Sequence, residues 1–124
     1  MANELDVFKV GHLVAAADLS AKQYTFVKVD STGKVAMCTA SDFPIGILQN
    51  KPTAGQACEI MVAGVSKIVL SGTIAPGVRI KSNATGLAVA GATATFSPGV
   101  LFTGGDVNEI GSALINCGAH FIET

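Results

Sequence analysis

Short apolar runs rich in Val, Ile and Thr follow one another along this chain at intervals of about ten residues. Gly, Pro, Asn or Ser closes each of them. That punctuation constrains the fold more than any other feature. Fourteen glycines are spread over 124 residues, and a glycine inside a helix costs about 1 kcal/mol relative to alanine. That leaves little room for long helices. Strands are expected at 7–14, 24–29, 34–38, 45–50, 57–63, 66–71, 78–82, 87–90, 99–103 and 112–117. Runs this short at this spacing predict an all-β fold, a small barrel or sandwich of antiparallel strands. Residues 15–23, with Asp18 and Ser20 as candidate caps, stand before a strong strand and read as a loop.

Half of the pattern is a repeat. At a constant offset of 53 residues, TGKVAMCTASDFPIGIL (32–48) aligns with TGLAVAGATATFSPGVL (85–101). Thr32 meets Thr85, Gly33 meets Gly86, Phe43 meets Phe96, Gly46 meets Gly99 and Leu48 meets Leu101. Upstream, Val27-Lys28-Val29 answers Val78-Arg79-Ile80, with one or two extra residues in the second turn. Downstream, Gly55 and Ala57 answer Gly111 and Ala113. Each copy predicts a hairpin followed by a returning strand. Val27 and Val29 point one way and Lys28 the other, as do Val78 and Ile80 around Arg79. Gly33 and Gly86 supply the positive φ of the turn, and Asp30 and Asn83 accept the hydrogen bonds that start it. Phe43 and Phe96 are expected to fill equivalent places in the core. One domain, 1–124, is expected, with an arm at about 1–7 and repeats at about 24–64 and 76–118.

Charge narrows the function. Charged residues make up 14% of the chain, the net charge is −1, and the mean hydropathy is above zero. Nucleic-acid binding and a polybasic membrane anchor both need clustered Lys and Arg, which are absent. A chain this apolar is expected to hide surface in subunit contacts. No run reaches the roughly 18 apolar residues of a transmembrane helix. Glu4 and Asp6 precede the first apolar segment, unlike the basic start of a signal peptide, so synthesis in the cytoplasm is expected. Cys38, Cys58 and Cys117 have no metal-ligand spacing and read as buried free thiols.

No catalytic constellation stands out. His12 and His120 lack a nominated third partner. Glu59 sits within an apolar strand and is expected to face solvent or an interface. Gly111-Ser112 matches the bond that self-cleaves in small β-barrel decarboxylases, but those cut near the N-terminal quarter. Lys34 lies beside a hairpin turn, as in lipoyl and biotinyl carriers. It follows the glycine, however, and its counterpart in the second repeat is Leu87. A carrier or ligand-binding barrel stays as an alternative, and no cofactor or metal is expected.

Three segments, MANELDVFKVG, PIGILQNKPTAGQACEIMVAGVSKIVLSG and IAPGVRIKSNATGLAV, together resemble bacteriophage capsid cement proteins, also called head decoration proteins. The resemblance lies in glycine spacing: Gly46-Ile47, Gly55, Ile60 and Gly64, then Pro76-Gly77, Val78, Ile80 and Gly86. It implies a small β protein on the outer surface of the virion, often a homotrimer at threefold or quasi-threefold positions. Such a protein rivets neighbouring major capsid subunits against packaged DNA, without cofactor, turnover or direct nucleic-acid contact. Candidate contacts are Asn3, Glu4, Leu5 and Asp6 in the arm, Asn50, Lys51 and Pro52 in the loop 49–55, and Asp106 and Asn108 in the loop 103–111. Another virion component, such as a tail or fibre protein, is the neighbouring alternative.

Overall fold

The computed structural model describes residues 8–91 and 97–117. Among them there is no helix. Nine strands, all paired antiparallel, form one sheet. They are β1 (Phe8–Val10), β2 (Phe26–Val29), β3 (Val35–Met37), β4 (Gly46–Leu48), β5 (Ile60–Val69), β6 (Arg79–Ser82), β7 (Ala88–Ala90), β8 (Gly99–Thr103) and β9 (Ile110–Asn116). The order across the sheet is β3-β2-β4-β5-β9-β8-β6-β7, with β1 added onto β5. The fold is thus all-β, as the strand spacing predicts. Boundaries differ: the run 7–14 is a strand only over Phe8–Val10, and the runs 57–63 and 66–71 are a single ten-residue strand, β5. Gly64 does not end it but carries φ 124° within it.

The ladders repeat at 53 residues. Val27 pairs with Met37 and Ile80 with Ala90; Phe26 pairs with Ile47 and Arg79 with Val100; Leu48 pairs with Ile60 and Leu101 with Ala113. Val27 therefore answers Ile80 rather than Val78, and Ile60 rather than Ala57 answers Ala113. The length difference lies further upstream. The parallel bridge Ala15–Val35 recurs as Leu70–Ala88, an offset of 55 at its first member.

Turn chemistry repeats as well. The Asp30 carboxylate accepts the amides of Thr32 and Lys34 and the Thr32 hydroxyl. The Asn83 carbonyl oxygen accepts the same three groups from Thr85 and Leu87. Gly46 and Gly99 are needed for a different reason: a Cβ on either would run into the backbone oxygen of Met61 or Leu114. Tyr24, at φ 65°, donates its amide to Leu48 O, as Gly77 does to Leu101 O.

The sheet curls so that the two repeats share a core. Phe26, Ile47 and Met61 of the first repeat pack with Ile80, Leu101, Ala113 and Ile115 of the second. On its other face the first repeat turns Val27, Val35, Leu48 and Ile60 toward Ala15 and Leu19. Opposite faces of the repeat thus meet in the middle. Ile60 belongs to one cluster and Ile68 to the other, although both are even positions of the same strand. β5 changes the face it turns to the shared core on either side of Gly64. Phe43 does not fill the core; its side chain is 53% exposed. The chain turns outward after Cys38, where Asp42 caps the Thr39 amide and hydroxyl and pairs with Lys28 at 2.9 Å, and Pro44 is buried in its stead. Phe96 lies outside the described residues.

Candidate interaction surface

Residues directly opposite one another in an antiparallel ladder project to the same face. Arg79 is opposite Val100, Val100 opposite Leu114, and Leu114 opposite Val65. These four side chains form a row across β6, β8, β9 and β5. The adjoining row is Thr103, Ser112 and Lys67, and beyond it Ile110 lies opposite Val69. Val65 and Phe102 are 50% exposed, Ile110 54% and Leu114 46%. The second repeat therefore presents an aliphatic sheet face to the outside.

The repeat explains why that face is apolar. Leu114 answers Met61, Val100 answers Ile47, and Arg79 answers Phe26. In the first repeat these positions are buried against the second. In the second repeat nothing among the described residues takes that place.

Its electrostatics are one-sided. Residues 60–105 contain Lys67, Arg79 and Lys81 and no Asp or Glu; the rest of the chain holds five Lys and nine carboxylates, a net −4. Lys67 lies over the Tyr24 ring at 5.6 Å, a cation–π arrangement. The ion pairs among the described residues are Lys9–Glu59 and Lys28–Asp42, so neither Lys67 nor Arg79 has a carboxylate partner there. Asp106 and Glu109 lie in the β8–β9 connection and are engaged there, one by the β5–β6 connection and the other within the loop. The Asp106 carboxylate accepts the Thr73 hydroxyl, and Glu109 accepts the Asp106 amide.

The residues singled out from sequence are placed as follows where the structure describes them. Asn3, Glu4, Leu5 and Asp6 lie outside the described residues, as does His120; His12 is exposed. Asn50 staples its own loop, donating to Ala57 O and accepting the Glu59 amide. Lys51 is exposed, whereas Pro52 is buried and its carbonyl accepts the Leu19 amide. Asn108, at φ 65°, donates its amide to Leu70 O, as Gly55, at φ 82°, does to Ala15 O. Each loop is bound to the segment that leads into its own repeat. The sequence does hold a signal for the sheet face: the absence of any carboxylate between Glu59 and Asp106.

Among the described residues no group of three or more His, Cys, Asp or Glu is placed to hold a metal, and every buried side-chain nitrogen or oxygen has a partner. Cys38, Cys58 and Cys117 are free and buried. Burial raises all three thiols, Cys117 to about 12. No described helix is long and apolar enough to cross a membrane.

Comparison with known proteins finds no matching family model and no match among curated sequences. Solved structures do match. The chain is similar to the head fiber gp8.5 N base in bacteriophage phi29, with a TM-score of 0.68, 10% identity, and coverage of 90% of this chain and 95% of that one. At that identity the likeness establishes a shared fold over nearly the whole of both chains.

Proposed function

We propose that this chain is a structural component of a bacteriophage head: a decoration protein that seats on the outer capsid surface and clamps neighbouring major capsid subunits. The observation that carries the reading is the fold shared, nearly end to end, with a phage head fiber base. The glycine spacings that resemble cement proteins point the same way. A rigid duplicated scaffold with an open aliphatic face suits a protein that works by contact rather than turnover. As a homotrimer it would offer three copies of one patch. Linked weak contacts gain about 100- to 10,000-fold in avidity over one alone. The likeness to a fiber base also favours a second reading, in which the domain seats on the head and carries a longer appendage.

Purified heads of the phage that encodes the chain provide the test. The protein should be present at a fixed ratio to the major capsid protein, and heads lacking it should lose DNA at lower temperature. Absence from washed heads would overturn the proposal.

A further inference from the structure

We infer that the open face of β5, β9, β8 and β6 is the surface that docks, and that its partner is a protein surface with aliphatic side chains at the centre and carboxylates around them. The inference rests on the reading above for the partner's being a head protein, and it adds the location and the chemistry.

Three observations converge. First, Val65, Val100 and Leu114 form a continuous row, with Phe102 beside it, and three of these four are about half exposed. Second, the same positions in the first repeat, Ile47 and Met61, are buried by an aliphatic sheet face, so side chains at these places pack well against such a surface. Third, Lys67 and Arg79 flank the row without carboxylate partners among the described residues. The strands of this half contain no acidic residue. Complementarity then asks for carboxylates on the other side.

The row itself argues for protein rather than nucleic acid, because phosphates would have only the flanking cations to meet while the aliphatic centre stayed unpaired. A second copy of this chain applied to the same face about a twofold would set Lys67 and Arg79 against cations rather than acids. The docking surface is therefore the sheet face itself; the loop 49–55 and the connection 104–109 bond to their own scaffold.

The experiment is cosedimentation of the purified chain with heads assembled without it, using wild type, Leu114→Asp and Lys67→Glu/Arg79→Glu. Thermal unfolding and the sedimentation coefficient of each free chain are measured alongside. Leu114 is 46% exposed, so the variants should fold. Wild type should bind, more weakly as salt rises, and both variants should lose at least about tenfold in occupancy with unchanged free-chain sedimentation. Variants that bind like wild type overturn the inference while leaving the head-protein reading intact. Loss of binding together with a drop in free-chain mass assigns the face to self-association and overturns it too. Binding of duplex DNA by wild type and by Leu114→Asp, lost only in the charge variant, overturns it in favour of nucleic acid. A wild-type chain that does not bind heads at all removes the reading on which the inference rests.

Discussion

The carbonyl of Gly86 accepts the backbone amide of Phe26 at 2.8 Å, so the turn of the second hairpin is stitched to the first strand of the first. Among the described residues its counterpart, Gly33, accepts no such bond. Both sit at positive φ, 80° and 85°. A Cβ on Gly33 would meet nothing within 4 Å, whereas one on Gly86 would lie 2.9 Å from the Phe26 oxygen. Gly33→Ala should cost only the left-handed backbone penalty, about 1–2 kcal/mol. Gly86→Ala should cost about 1–3 kcal/mol more, as overpacking does. Urea unfolding of the two variants checks this, and equal losses would contradict the stitched turn.

That contrast marks where the sequence is informative. Asp30-Thr32-Gly33 and Asn83-Thr85-Gly86 announce two hairpins because turn chemistry is local: an acceptor side chain, a hydroxyl and a glycine within four residues. Gly46 and Gly99 are visible for a related reason, each admitting a neighbouring backbone. The interaction surface is not legible in this way. Met61 and Leu114 hold the same place in the repeat, and no local feature tells which is covered. That depends on how the sheet curls and on β5 changing faces about Gly64, a tertiary property. Phe43 failed as a core residue on the same ground: its spacing matches Phe96, but the Asp42 cap and the Lys28 pair turn the chain outward.

The pair Met61 and Leu114 gives a direct measurement of that difference. Met61 is 6% exposed within the shared core and Leu114 is 46% exposed. Met61→Ala should destabilise by about 2–5 kcal/mol, while Leu114→Ala should stay within about 1 kcal/mol, as surface changes do. Chemical denaturation of the isolated chain measures both. A Leu114→Ala loss as large as that of Met61→Ala would mean that the outer face is already covered.

Acid should unfold the protein through its turn carboxylates. The Thr32 hydroxyl, with the amides of Lys34 and Thr32, holds the Asp30 carboxyl below its ordinary range. The Thr39 hydroxyl and Lys28 do the same for Asp42. A carboxylate depressed in the folded state contributes stability above the unfolded value of about 3.9, and that stability is lost as the pH falls through the folded value. The melting temperature should therefore be flat from pH 7 to about 5 and fall below about pH 4. Asn83 performs the Asp30 role without charge, so Asp30→Asn should keep the turn, lower the melting temperature slightly near pH 7 by removing the contribution of the charge, and reduce the acid fall. Asp42→Asn should reduce the acid fall too, at a cost near pH 7 because the Lys28 pair is lost. Melting curves of the three proteins from pH 7 to 2.5 decide it, and an undiminished acid slope in both variants would refute the assignment.

The thiols should report on opening of the sheet. Cys38, Cys58 and Cys117 are buried, and burial raises each above its ordinary value, Cys117 to about 12. Thiol–disulfide exchange requires the thiolate and access to it. In the native protein at pH 8 an aromatic disulfide reagent should release far less than one equivalent over minutes. In guanidinium all three thiols should react at once. Cys117 follows directly on β9, whose Leu114 lies on the outer face, and its amide is bonded to Val62 O at 2.8 Å. Its labelling in intermediate urea should therefore track separation of β9 from β5. Rapid labelling of Cys117 in the native state, without loss of sheet structure, would show that this strand pair opens independently of the rest of the fold.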